Sequence, residues 1–113
     1  MSKTDYFVII YKILSYLYDC LKEDKKPSMD YLHFNTDTFP VGEGYWTYIF
    51  AHLLEEGLIE DASIITFAGG RRGVKTGPNF AITPAGIAYL HENSLIAKAK
   101  AFVKTIKETV QVL

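Results

Sequence analysis

The chain has 113 residues, 49% hydrophobic and 14% aromatic, with 12 basic and 13 acidic side chains and a formal net charge of -1; this is enough for one sizeable core and leaves no room for a second domain. The balance of charge excludes an overall field toward nucleic acid or anionic membrane, so any such affinity has to come from local clustering. A lone cysteine, Cys20, excludes an internal disulfide, and the apolar run Phe7 to Ile10 ends too soon at Lys12 for a signal peptide or membrane span, so the expectation is a cytoplasmic protein with no membrane partner.

From Asp5 to Glu23, Tyr6, Ile10, Ile13, Leu14, Leu17 and Leu21 recur at helical spacing, with Lys12, Ser15, Asp19 and Lys22 opposite. This predicts an amphipathic first helix, with Cys20 near its end as a small buried or half-buried residue. The run Glu23-Asp24-Lys25-Lys26-Pro27 breaks it, and Ser28 offers an oxygen to cap a short second helix ending at Leu32 or His33. A loop from Phe34 to Val41 follows. Gly42 then opens a third helix that runs to Glu56 and stops at Gly57, completing a helix-turn-helix pattern. In that third helix Trp46, Ile49, Phe50 and Leu53 form the stripe to be buried, leaving Gly44, Thr47, Tyr48, Ala51 and Glu55 outside with His52 nearby.

Residues 58 to 90 predict strand, glycine-rich basic turn, strand, and a helix opening at Thr83-Pro84. The turn gathers Gly69, Gly70, Arg71, Arg72, Gly73, Lys75 and Gly77, so its backbone bends freely while cations project from it. The fold class expected is α+β: a winged helix-turn-helix with a three-helix core and a β-hairpin wing in residues 1–93, and a C-terminal helical extension in residues 94–113. In the extension Ile96, Ala99, Val103, Ile106, Val110 and Leu113 form a heptad seam, which Phe102 widens and Lys98, Lys100, Lys104 and Lys107 flank. Two uses of that seam stand open: packing on the first helix, or a homodimer through residues 95–113.

Nothing in the chain arranges catalytic chemistry. His33, His52 and His91 lie far apart with no second cysteine, so no metal is expected. Glu55-Glu56 and Glu60-Asp61 are solvated carboxylate runs without an acid-base motif. The glycine-rich turn is not a phosphate-binding loop, because Val74 separates Lys75 from Gly73 and Pro78 stands where a helix would begin. The expectation is a non-enzyme without a cofactor.

Two binding readings remain. For double-stranded DNA, Arg71, Arg72 and Lys75 on the wing, helped by Lys25 and Lys26, would contact phosphates, while Thr47, Tyr48 and His52 would face the groove. Against it, the third helix has none of the Arg, Lys, Asn or Gln that read base edges, and Glu43 would repel phosphates. An uncharged, aromatic-bearing helix suits a protein partner instead. The tryptophan and its aromatic neighbours are expected in the core rather than on a ligand.

The chain also resembles a known family. The helix DYFVIIYKILSYLYDCL, the block YWTYIFAHLLEEGLI, the turn containing Gly69-Gly70, and ITPAGIAYLHENSLIAKAKAF together look like the YjcQ family of small bacterial and phage-encoded proteins. The similar positions include Tyr45-Trp46, Gly57 before Leu58-Ile59, and Ile82-Thr83-Pro84 with Gly86, Tyr89, Leu90, Glu92 and Asn93; Gly42 departs from it, standing where a serine-like cap is expected. The resemblance implies a winged helix and a prophage-type setting, with no activity to carry over. The Thr83-Pro84-x-Gly86 pattern is shared with winged-helix transcription regulators, which makes a DNA-binding or regulatory accessory role the leading expectation and a protein-interaction module the alternative.

Overall fold

The computed structural model describes residues 4–93. The predicted helix over 94–113, its seam and the pairing through residues 95–113 lie outside the described residues. Helix α1 (Tyr6–Lys22) is followed by α2 (Glu43–Glu55), then strands β1 (Ile59–Thr66) and β2 (Arg72–Ile82). Residues 84–93 are helical and form α3. The described part is thus α+β, three helices with a two-stranded antiparallel sheet.

Asp5 starts α1 by accepting the Phe7 amide at 3.0 Å, satisfying one of the amides a helix start leaves open. The helix buries Ile9, Ile10, Ile13, Leu14, Leu17 and Cys20. Leu21, expected on the buried stripe, is 50% exposed. Around the helix Leu21 falls between Ile10 and Leu14, within the stripe, but it stands in the last turn, where it lines an open groove with Asp24, Lys25, Pro27 and Met29.

The short second helix expected after Ser28 does not form. Only one turn is closed, by the Leu32 amide on the Ser28 carbonyl at 3.0 Å, with the Ser28 hydroxyl accepting the Tyr31 amide at 3.4 Å. Side chains then take over the backbone: the Thr36 hydroxyl donates to the His33 carbonyl and accepts the Phe39 amide, which offers the chain an alternative to helix. Asn35 turns left-handed at φ 59°, and its amide reaches the Val41 carbonyl at 2.8 Å. The segment still buries Leu32 and Phe39 completely enough to belong to the core. The helix-turn-helix expectation therefore fails at its middle helix.

Helix α2 opens at Gly42, whose extended backbone offers no side-chain cap, and places Glu43 in its first turn where the helix dipole favours a carboxylate. It buries Trp46, Ile49, Phe50 and Leu53 as expected. It ends in a Schellman motif: the Leu58 amide reaches the Leu53 carbonyl at 2.9 Å and the Gly57 amide the Leu54 carbonyl at 3.0 Å, with Gly57 at φ 71°. The strands pair from Ile59 with Ile82 out to Thr66 with Arg72, interrupted between Glu60 and Ala62. There Asp61 adopts φ 58° and its carboxylate accepts the Asn79 amide at 2.6 Å, forming a bulge.

Thr83 joins the pieces. Its amide donates to the Leu58 carbonyl at 3.0 Å, its hydroxyl donates to the Gly57 carbonyl, and the same hydroxyl accepts the Gly86 amide at 3.1 Å to cap α3. Gly86 lies so close to the Leu58 carbonyl and the Ile82 side chain that no Cβ fits. Replacing a helical glycine by alanine ordinarily gains about 1 kcal/mol; here Gly86→Ala is expected to cost about 1 to 3 kcal/mol through overpacking, measured as a lower urea midpoint at unchanged slope.

Candidate interaction site

Every sequence-predicted contact residue sits on α2, on the hairpin, or in the loop after α1. The hairpin turn is closed by the Phe67 amide on the Arg71 carbonyl at 2.6 Å and the Gly70 amide on the Phe67 carbonyl at 3.0 Å. Gly69 and Gly70, at φ 88° and 86°, supply the left-handed backbone that other residues resist. Arg71 does not project freely from this tip. Its guanidinium lies over the Phe67 ring, 4.4 Å from the centroid, and reaches the Glu43 carboxylate at 3.4 Å. The side chains are 63% and 28% exposed, so the pair holds the tip near the start of α2 without great strength.

The hairpin also covers α2 one turn further on. Thr47, expected on the open face, is only 4% exposed, and its hydroxyl donates to the Arg72 carbonyl at 3.5 Å. Helical periodicity placed Thr47 on the polar arc correctly; a sheet leaning on that arc is a tertiary contact that periodicity does not carry. Arg72 and Lys75 are exposed on β2.

Tyr48 keeps its predicted exposure, at 54%. It meets Tyr6 of α1 edge to face with centroids 6.3 Å apart, and the His52 ring at 4.4 Å. Tyr6 in turn meets Phe7 at 5.4 Å, and Phe7 is 61% exposed. The Tyr45 hydroxyl donates to the Thr4 carbonyl at 2.8 Å, which fixes the chain before α1 beside α2. Burial, and then the Glu56 carboxylate, raise the Tyr6 and Tyr89 hydroxyls above the usual tyrosine pKa. They stay neutral at physiological pH. His52 faces the Glu55 carboxylate at 3.6 Å.

The remaining predicted cations lie elsewhere. Lys25 pairs with Glu23 at 2.8 Å, and with Lys26 it borders a groove of about 500 Å³ whose other wall is Thr76 to Ala81. From Arg72 to Asn79 an extended strand covers roughly 23 Å, so Lys25 and Lys26 stand by the base half of β2 while Arg71 and Arg72 stand at its tip. Lys25 and Lys26 are thus placed apart from Arg71 and Arg72 along the hairpin. Tyr6, Phe7 and Glu43 are the residues that sequence reading left out of the site. Phe7 carried a signal, since it falls on the polar side of an otherwise amphipathic helix. Among the described residues, no group of three or more His, Cys, Asp and Glu gathers to hold a metal ion, and no helix is long and apolar enough to cross a membrane.

The family model described as YjcQ protein matches residues 11–109. The chain belongs to the YjcQ family. No curated protein and no solved structure matches it, so what this YjcQ domain does has to be read from its own surface. That surface is the exposed strip of α2 through Gly44, Tyr48 and Glu55, flanked by the hairpin on one side and by Tyr6 and Phe7 on the other. Of the cations beside it, Arg71 is paired with Glu43, and on α2 Glu55 faces His52, while Arg72 and Lys75 are exposed on β2. Because the Arg71–Glu43 pair is exposed, Arg71→Ala is expected to lower stability by no more than about 1 kcal/mol, while amide exchange at Gly69 and Gly70 quickens as the tip loosens. Denaturant unfolding and native-state hydrogen exchange read the two effects separately.

Proposed function

We propose that this YjcQ-family domain is a non-enzymatic protein-docking module on a winged-helix frame, with the hairpin as its wing and the open strip of α2 as its contact surface. The order of helix, helix, hairpin and helix supports the frame, with α2 in the place of the recognition helix. The observation that carries the docking reading is the aromatic group Tyr48, Tyr6 and Phe7, set between Glu55 on α2 and the neutralised tip at Glu43 and Arg71. Exposed aromatic rings with few net charges are the composition of protein-contact cores. A cytoplasmic regulatory accessory of prophage type is the setting that the family resemblance suggests for such a module.

The DNA-binding reading is favoured by one observation, the exposure of Arg72 and Lys75 on the strand beside α2. Titrating mixed-sequence duplex DNA by fluorescence anisotropy at low and moderate salt separates the two. The docking reading expects no salt-sensitive binding at micromolar protein. Binding that the Arg71→Ala, Arg72→Ala double variant abolishes would establish the wing as a phosphate contact and replace the docking reading. On the docking side, Tyr48→Ala is expected to shift stability by no more than about 0.5 kcal/mol. The same variant is expected to weaken partner capture from host extract at least about fivefold, measured by quantitative pull-down against the unaltered chain.

A further inference from the structure

The docking face has two unlike ends. At the start of α2 the chain supplies its own arginine: the Arg71 guanidinium lies 4.4 Å over the Phe67 ring and reaches the Glu43 carboxylate at 3.4 Å. A ring beside a carboxylate suits a guanidinium, which stacks on the one and hydrogen-bonds the other. At the other end of α2, roughly 18 Å away at helical rise, rings and carboxylates stand together again with no arginine among them. Tyr48, His52, Glu55 and Glu56 follow at helical spacing and so lie along one side of the helix. Tyr48 is 54% and Phe7 61% exposed. Between them Tyr6, half-buried against the core, meets both rings edge to face.

The carboxylates at this end lack a basic partner. Among the described residues the ion pairs are Lys22 with Asp19, Lys25 with Glu23, His52 with Glu55, and Arg71 with Glu43. Neither Glu55 nor Glu56 therefore meets a lysine or arginine there, and both are exposed. Glu56 is close enough to the rings to act on them: after burial, it is the largest influence raising the pKa of the Tyr6 and Tyr89 hydroxyls. The carbonyl end of α2 adds negative potential at the same place. Aromatic faces beside negative charge attract a cation and repel a phosphate. Arginine fits better than lysine, because its planar fork serves ring and carboxylate together, as Arg71 shows at the opposite end. Resting on the docking reading above, we propose that the partner is a protein segment bearing an arginine beside an apolar residue. The guanidinium is received between the Tyr6–Tyr48 pair and Glu55–Glu56, and the apolar neighbour covers Phe7.

The test is selection of a random linear-peptide library, displayed on phage, against the immobilised full chain. Enriched peptides are then labelled with fluorescein and titrated by anisotropy on the unaltered chain, on Tyr48→Ala and on the Glu55→Gln, Glu56→Gln double variant, with circular dichroism to confirm folding of each. Arginine is expected to be enriched above lysine, next to apolar residues. Affinity is expected to fall as salt rises, and at least about fivefold on the double variant or when the peptide's arginine is changed to lysine. Peptides that need Tyr48 but carry arginine no more often than lysine, or that bind the double variant unchanged, overturn the arginine inference and leave the docking reading standing. No enriched peptide, or only peptides indifferent to Tyr48→Ala, overturns both. A chain of twice the expected mass by light scattering, returned to the single mass by Arg72→Ala and by the double variant, would make the occupant a second copy and overturn the proposal as well.

Discussion

The architecture depends on a small knot of backbone hydrogen bonds where α2 ends and α3 begins. Gly57 turns left-handed, Leu58 enters β1, and the carbonyls of both are taken by Thr83 as β2 runs out. One residue thereby closes the base of the hairpin, satisfies the end of α2 and caps the next helix. Buried polar backbone has to be paired somewhere, and here four element ends meet each other's needs within a few residues. The close seat of Gly86 under Leu58 and Ile82 shows how little slack the junction has.

Fixing the hairpin at its base sets the angle at which its far end returns to α2. The return is what covers Thr47 and brings Arg71 to Glu43. A feature that looks in sequence like a mobile cationic finger is therefore folded back onto an anionic helix start, and its leading charge is spent within the molecule. Tyr48, Tyr6 and Phe7 are left as the prominent chemistry of the open face. Charge neutralisation and aromatic exposure on that face have one origin, the orientation of the hairpin.

Local signals announced most of this frame. The spacing of Ile10, Ile13, Leu14 and Leu17, the stop at Gly57, the glycine pair of the turn and the Thr83-Pro84 start are all short-range features, and each lies in the element it announced. The failures are of another kind. Ser28 does bond the Tyr31 amide as a cap would, yet the next residues satisfy their backbone through the Thr36 hydroxyl and the Val41 carbonyl, so the helix stops after one turn. Thr47 was misplaced because its cover depends on where the hairpin lands. That is a contact between residues some 25 apart in the chain, which no pattern of near neighbours encodes.

The bulge at Asp61 has a consequence for how such a chain tolerates change over evolution. On β1, Ile59 faces the core before the bulge and Ala62 and Ile64 face it afterwards, so the inward positions switch from odd to even at Asp61. The strand thus contains a phase correction of one residue. Loss of the single codon for Asp61 would leave Ile59, Ala62 and Ile64 in regular alternation on the core face, at the expense of the bulge. Two codons lost together would turn over the distal half of β1 and send Ile64 to solvent. Length variation at this point of the hairpin is therefore expected to be quantised, with gaps of one residue commoner than gaps of two.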